Sequence, residues 1–155
     1  ELRMEAIKRS CQIKAKIVEN DEREYGERAL LNLGHTFCHA LEAVTNFSDI
    51  LLHGEGVSIG CNLAFELSSK LGLYPQEVPS RVREHYHSIN VATDISQING
   101  FVGNAEQIYD SMAQDKKVLN GVIRFILASD IGKAMVQENI DKALVLEVLQ
   151  QSLER

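Results

Sequence analysis

Apolar residues recur at α-helical spacing along most of this 155-residue chain. The first stripe contains Ile7, Cys11, Ala15 and Val18, at the i, i+4, i+8, i+11 spacing of one helix face. Such a stripe usually packs on a core and leaves the opposite face polar. The predicted helices span residues 2–20, 27–44, 54–71, 79–89, 103–113 and 141–153. We therefore predict a mainly α fold, with Gly72 ending the third helix.

One segment departs from helical spacing. Residues 116–119 and 122–127 have the pattern of strands, and the dipeptide Asn120-Gly121 joins them. Asn-Gly tolerates the positive φ angles that a tight primed turn requires. The sequence therefore predicts one small β-hairpin near residues 116–127.

The composition restricts the class of protein. Hydrophobic residues make up 45% and charged residues 25%, which is typical of a globular chain, and 155 residues suffice for one domain. The formal net charge of -6 disfavours nucleic-acid or membrane binding, so an anionic substrate would need a local cluster of cations. Three widely spaced cysteines without a CxxC motif indicate reduced thiols and a cytoplasmic location. No apolar run approaches the roughly 20 residues of a membrane-spanning helix.

The predicted helix 27–44 has a polar face of unusual composition. At about 100° per residue, Arg28, Asn32, His35 and His39 project within roughly 60° of one another. A solvated face usually mixes Glu, Lys, Gln and Arg, whereas this stripe contains no carboxylate. The pattern alone is consistent with either a solvated face or a functional site.

The histidines of this segment predict a divalent metal site. His35 and His39 stand at i, i+4, a spacing that lets two imidazoles reach one ion. The following loop could bring His53 to the same point, and Glu55 offers a nearby carboxylate. Such ligands suit zinc, and an open coordination position would accept a substrate oxygen.

Lys14 interrupts the apolar stripe of the first predicted helix. Its side chain projects within roughly 40° of Cys11 and Val18. Either its stem packs while the amine reaches solvent, or the amine is a cation facing a cleft.

Several motifs together resemble the 3-dehydroquinate synthase family. They are Glu27-Arg-Ala-Leu-Leu-Asn-Leu-Gly-His-Thr-Phe-Cys-His-Ala40, the following His53-Gly-Glu, the stretch from Lys14 to Glu24, and Asp115-Lys-Lys117. The resemblance covers essentially all of the chain. It implies the helical C-terminal domain of a two-domain, glycerol dehydrogenase-like fold. It also implies an enzyme of the shikimate pathway that converts 3-deoxy-D-arabino-heptulosonate 7-phosphate to 3-dehydroquinate and phosphate. In that reaction a bound NAD transiently oxidises a ring hydroxyl, while the protein supplies orientation and charge.

The resemblance implies a role for each matching residue. His35 and His53 match ligands of Zn2+ (or Co2+), and His39 matches a histidine of proton transfer, so the i, i+4 pair is a misleading metal cue. Glu24 matches an acid/base carboxylate. The implied substrate-binding positions are Lys14, Arg28, Asn32, His35 and one of Lys116 and Lys117. An acidic chain needs such cations around a substrate that carries a carboxylate and a phosphate.

The resemblance also implies partners outside this chain. In the family, a preceding Rossmann-like domain binds NAD+ and supplies a third zinc ligand, a Glu. No Gly-rich phosphate loop follows a strand in this sequence, and Glu1 already lies in a helical pattern. We therefore expect residues 1–155 to form one α-helical metal- and substrate-binding domain of a longer, cytoplasmic, homodimeric enzyme, inactive on its own.

Two alternatives stay open. One is another sugar-phosphate cyclase, of the valiolone or scyllo-inosose type, or a glycerol dehydrogenase-like enzyme, although Arg28, Asn32 and Lys14 together favour dehydroquinate synthesis. The other is a helical interaction module with structural histidines. The chain departs from the family at Cys38, where Gly is usual, and at Gly56, where Ala is usual. We expect Cys38 to pack against a neighbour.

Overall fold

The computed structural model describes residues 1–24, 26–74, 77–114 and 122–155. They form two compact units, Glu1–Asn32 and Leu33–Arg155. The first unit contains helix α1, Leu2–Asn20, and a 3-10 helix, Glu27–Asn32. The predicted bounds of α1 are confirmed, but no residue of α1 is buried and Ile7 is 59% exposed. The apolar stripe of α1 is therefore not part of a core in the described residues.

The predicted helix 27–44 is interrupted at Gly34. The 3-10 helix precedes this residue, and α2 spans His35–Val44 after it. Gly34 has a φ of 77°, a left-handed conformation that only Gly adopts routinely. A Cβ atom at Gly34 would lie 2.4 Å from backbone atoms of Gly60 and Cys61 in helix α3, His53–Lys70. A glycine is therefore required both for the turn and for the close approach of two helices.

This break corrects the predicted polar stripe. Arg28 and Asn32 belong to the 3-10 helix, whereas His35 and His39 belong to α2. A rotation of about 100° per residue applies only within an α-helix, so it does not carry across the break. The prediction of one stripe is wrong, and only the i, i+4 relation of His35 and His39 is retained.

The remaining helices are α4 (Glu77–Ser88), a 3-10 helix (Ile95–Gln97), α5 (Ala105–Gln114) and α6 (Lys142–Glu154). Helix α3 packs against α2, α4, α6 and the strand Phe125–Asp130. The core side chains include Phe37, Leu41, Ile59, Leu63, Leu67, Ile108 and Leu149. The predicted bounds of α3, α4, α5 and α6 differ by only one or two residues at each end, whereas the 3-10 helix was not predicted. Gly72, with a φ of 70°, follows α3 as predicted. Within the described ranges, no helix is long and apolar enough to cross a membrane.

The structure contains a β-hairpin at residues 125–137. Strand β1, Phe125–Asp130, pairs antiparallel with β2, Lys133–Gln137. Gly132 in the turn has the positive φ, 83°, that tight hairpins favour. The predicted strand 122–127 overlaps β1, whereas β2 is not among the predicted strands. Residues 116–119 and the predicted Asn120-Gly121 turn lie outside the described residues.

An ion-pair network joins α3 to α4 and to the end of α6. Arg83 of α4 pairs with Glu66 of α3 and with Asp94, and these side chains are 19%, 11% and 6% exposed. Arg155 Nη1 donates to Glu66 Oε1 at 2.6 Å and to Asp94 Oδ1 at 3.0 Å. Burial acts to raise the pKa of the Asp94 carboxyl, but hydrogen bonds from Thr93, Arg155 and Arg83 outweigh burial and lower it. The network therefore keeps a charged carboxylate inside the packed second unit.

Candidate metal centre

Three histidine rings meet near the starts of α2 and α3. His35 is the first residue of α2, His39 lies one turn later, and His53 is the first residue of α3. The ring centroids of His35 and His39 are 5.7 Å apart, and those of His35 and His53 are 5.8 Å apart. The fold thus brings together the three histidines that the sequence pattern indicated.

The spacing of His35 and His53 suits a shared metal ion. Zn–N bonds of about 2.0–2.1 Å place the ion about 3.2 Å from each ring centroid, so two rings on one tetrahedral ion have centroids about 5 Å apart. The observed 5.8 Å is close to that value, as is the 5.7 Å between His35 and His39. Nδ1 of His35 lies 3.3 Å from the carbonyl oxygen of Leu33. Because a carbonyl can only accept, this contact is a hydrogen bond in the tautomer with the proton on Nδ1, in which Nε2 keeps its lone pair.

A carboxylate and a thiol adjoin His53. Oε1 of Glu42 lies 2.8 Å from Nδ1 of His53, and Sγ of Cys38 lies 3.8 Å from the same nitrogen. Glu42 is not among the residues that the sequence analysis selected. Its position, i+4 from Cys38 and i+7 from His35 on one face of α2, is the signal that could have indicated it.

Glu55 has a structural role at the start of α3. Its Oε2 accepts a hydrogen bond from the backbone N–H of Leu52 at 3.0 Å. The first turn of a helix leaves several N–H groups without helical partners, and this bond satisfies one of the donors there. The Glu55 carboxylate therefore stabilises the start of α3.

Cys38 packs in the contact between α2 and α3, as expected. Its side chain is fully buried. Burial, followed by the negative charge of Glu42 and by Cys61, raises the pKa of the thiol to about 12. Sγ donates to the carbonyl oxygen of His53 at 3.8 Å, and a Cβ atom added to Gly56 would lie 2.9 Å from Sγ. The two departures from the family pattern therefore compensate each other, because the missing side chain at 56 makes room for the thiol at 38.

Replacing Gly56 with Ala is expected to lower the free energy of unfolding by about 1–3 kcal/mol, since the new methyl group overlaps Sγ of Cys38. The double variant Cys38→Gly/Gly56→Ala should recover most of this loss. Urea unfolding of the wild type, both single variants and the double variant measures the coupling. Gly54→Ala is the matched control, because a Cβ there meets nothing within 4 Å. An equal effect of Gly56→Ala with and without Cys38 would contradict the direct contact.

The first unit brings three of the predicted site residues together. Asn32 Nδ2 donates to Glu24 Oε1 at 2.7 Å, and Nε of Arg28 lies 3.9 Å from Oε2 of the same carboxylate. Arg28 Nη1 also donates to the carbonyl oxygen of Glu22 at 2.6 Å. Glu24 has a φ of 59°, a left-handed conformation that costs a non-Gly residue about 1–2 kcal/mol. The cluster combines a carboxylate, an amide and a guanidinium within reach of one another.

The predicted lysines are less constrained. Lys14 is exposed on α1, in agreement with an amine that reaches solvent. Lys116 and Lys117 lie outside the described residues, so their assignment stays a prediction.

A sequence profile described as 3-dehydroquinate synthase C-terminal matches residues 1–118. The chain belongs to this family. A 3-dehydroquinate synthase from a Ruegeria species is 60% identical to this family member over 152 residues, which are 98% of the chain and 41% of that relative. One from Ruegeria pomeroyi is 58% identical over 151 residues, 97% of the chain and 41% of the relative. One from Cereibacter sphaeroides is 56% identical over 153 residues, which are 99% of the chain and 41% of that relative. The chain thus spans about 41% of the length of these curated relatives.

Solved structures share the fold of this 3-dehydroquinate synthase C-terminal family member. A 2-epi-5-epi-valiolone synthase from Streptomyces hygroscopicus, solved with NAD+ and Zn2+, aligns with a TM-score of 0.80 and 21% identity over 97% of this chain and 40% of that protein. A 2-deoxy-scyllo-inosose synthase, solved with carbaglucose-6-phosphate, NAD+ and Co2+, aligns with a TM-score of 0.70 and 21% identity. The alignment covers 84% of this chain and 36% of that protein. The expected mainly α, cyclase-like fold is confirmed.

Proposed function

We propose that this chain is the metal- and substrate-binding C-terminal domain of a 3-dehydroquinate synthase, which converts 3-deoxy-D-arabino-heptulosonate 7-phosphate to 3-dehydroquinate and phosphate. The observation that carries this function is the ring contact of His35 with both His39 and His53. Family membership and the 56–60% identity to curated synthases support the choice of reaction. The enzyme would act in the shikimate pathway towards chorismate and the aromatic amino acids.

In this function His35 and His53 hold Zn2+ or Co2+ through ring nitrogens. When bound, the metal would lower the pKa of the substrate hydroxyl, and NAD+ held by a preceding domain would accept the hydride. His39, whose ring adjoins His35, moves a proton to or from the substrate rather than binding the metal. His35 acts both as a ligand and as a substrate contact, and its ring contacts with His39 and His53 support that proposal.

The first unit contributes cations and a carboxylate to the same function. Arg28 offers a guanidinium fork that can bind a carboxylate or phosphate through two hydrogen bonds, and Lys14 adds a point charge. One of Lys116 and Lys117 supplies a further cation. Glu24 acts as an acid/base group, and the hydrogen bond from Asn32 supports that role by orienting the carboxylate.

The complete enzyme would contain a Rossmann-like domain before this chain. That domain would bind NAD+ and add a Glu as the third zinc ligand. The 41% coverage of the curated relatives supports a longer protein. A cytoplasmic homodimer remains part of this proposal.

The test measures phosphate release by the natural protein that contains this chain. We expect turnover of 3-deoxy-D-arabino-heptulosonate 7-phosphate that requires NAD+, is lost on treatment with a chelator and returns with added zinc. Glucose 6-phosphate is the comparison substrate, because its carba-analogue is bound in a solved neighbour. No phosphate release from the heptulosonate, or a preference for glucose 6-phosphate, would contradict the assignment.

A further inference from the structure

We propose that Glu42 is a positioning residue that holds the imidazole of His53 in the tautomer and orientation needed for metal binding. This inference rests on the proposed function, in which His53 is a metal ligand. The geometry behind it is the 2.8 Å contact between Glu42 Oε1 and His53 Nδ1. Glu42 itself has no place among the ligands or the substrate-binding residues of that function.

The contact determines which nitrogen of His53 can bind a metal. An ionised carboxylate only accepts hydrogen bonds, so the ring nitrogen that faces Glu42 must carry the proton. A neutral imidazole has one N–H, and Nε2 is then left with its lone pair available. Metal-binding histidines commonly donate their other N–H to a carboxylate, which fixes the ring and raises its basicity as a ligand.

The Glu42 side chain is mostly buried, whereas the His53 ring that it contacts is largely exposed. The side chain of Glu42 is 15% exposed, whereas that of His53 is 60% exposed. A hydrogen bond to a charged group strengthens as its surroundings lose water. The hydrogen bond to Glu42 therefore restrains the rotamer of His53.

The location of Glu42 also relates His53 to His35. His35 and Glu42 lie on the same helix, α2, about two turns apart. His53 starts α3 after an intervening loop. The hydrogen bond from His53 to Glu42 therefore fixes the ring of His53 with respect to the helix that carries His35.

An alternative is that Cys38, Glu42 and His53 form a metal site of their own, since one ligand-type atom from each lies within 4.8 Å of the others. Two observations argue against it. The Cys38 side chain is fully buried, and its Sγ donates to the carbonyl oxygen of His53 at 3.8 Å, which requires a protonated thiol rather than a metal-binding thiolate. In addition, the hydrogen bond to Glu42 occupies His53 Nδ1, the ring nitrogen near this thiol.

The experiment measures zinc affinity by chelator competition in the natural protein that contains this chain. We expect Glu42→Ala to weaken zinc binding by about 10–100-fold, the usual loss for an outer partner of a metal ligand. Glu42→Gln keeps an acceptor for Nδ1–H without the charge, so it should lose only about 3–10-fold. The visible absorption of the Co2+-substituted protein should change in Glu42→Ala and stay close to that of the wild type in Glu42→Gln.

Asp49→Asn is the matched control. Asp49 is an exposed carboxylate of the preceding loop with no hydrogen bond or ion pair among the described residues. It should change zinc affinity by less than about twofold, as expected for a screened surface charge. Wild-type affinity in both Glu42 variants, or an equal loss in Asp49→Asn, would overturn the role of Glu42. If Glu42→Ala does not fold, the isosteric Glu42→Gln compared with Asp49→Asn decides the question.

The outcome is distinguishable from failure of the proposed reaction. If the wild type binds zinc but releases no phosphate, the reaction is wrong, while the zinc measurements still decide the role of Glu42. If His53→Ala binds zinc as tightly as the wild type, His53 is not a ligand and the role of Glu42 is overturned as well.

Discussion

Replacing His35 with Ala is expected to abolish tight zinc binding and the proposed phosphate release. Losing an outer partner of a metal ligand usually costs 10–100-fold in affinity, so losing a ligand should weaken zinc binding by more than about 100-fold. His35 is central because its ring adjoins both His39 and His53. Zinc content after exhaustive dialysis, together with the rate of phosphate release, measures the effect.

His85→Ala is the control for that substitution. His85 is an exposed histidine of α4, and its ring contact is with Tyr86, at 6.2 Å between centroids. This variant should keep full zinc content and activity. If His35→Ala folds normally and still retains stoichiometric zinc after dialysis, the metal assignment fails, and a helical module with structural histidines becomes the better interpretation.

Replacing Arg83 with Met is expected to lower the free energy of unfolding by about 3–5 kcal/mol. Met keeps much of the packing volume, so the change mainly removes the charge that compensates Glu66 and Asp94. Both carboxylates are largely buried, at 11% and 6% side-chain exposure. Arg155 also contacts them but is 39% exposed, so it should replace only part of the lost interaction. Urea unfolding followed by circular dichroism measures the difference.

Arg81→Met is the matched control, because Arg81 is an exposed residue of the same helix. It should change stability by less than about 0.5 kcal/mol. The difference between wild type and Arg83→Met should also shrink in acid. Asp94 has a lowered pKa, so its stabilisation is present above the ordinary carboxyl pKa of about 3.9 and is lost as pH falls through the lowered value. A loss for Arg83→Met no larger than that for Arg81→Met would contradict a structural role for the network.

Helical periodicity predicted most of the fold correctly because it is a local property. The bounds of α1 match the prediction, and those of α6 differ by one residue at each end. The main error is at Gly34, which local spacing treats as one more helical residue. Its left-handed φ accompanies a close approach to Gly60, 26 positions later, and no pattern within residues 27–44 contains that contact. β2 was missed for a related reason, since its pairing with β1 depends on a turn at Gly132.

In the candidate site, too, local sequence features were predicted and contacts between helices were not. The motif around His35 and His39 identified the family, and the later His53 was recognised with it. The i, i+4 pair by itself favours His35 and His39 as ligands, whereas the structure places both His39 and His53 beside the ring of His35. Helical spacing relates residues of one helix only, so the i, i+4 pattern does not show that His53 of α3 also lies beside His35.

The sequence by itself determined most helix bounds, the family and the candidate histidines, because side-chain periodicity and sequence motifs are local properties of the chain. Only the tertiary structure decided where the helix breaks at Gly34, how Cys38 and Gly56 share one space, and that Glu42 holds His53. These are contacts between α2 and α3 or at their ends. They depend on the volume and hydrogen-bonding direction of groups that meet only after both helices have packed, which spacing along one segment does not specify.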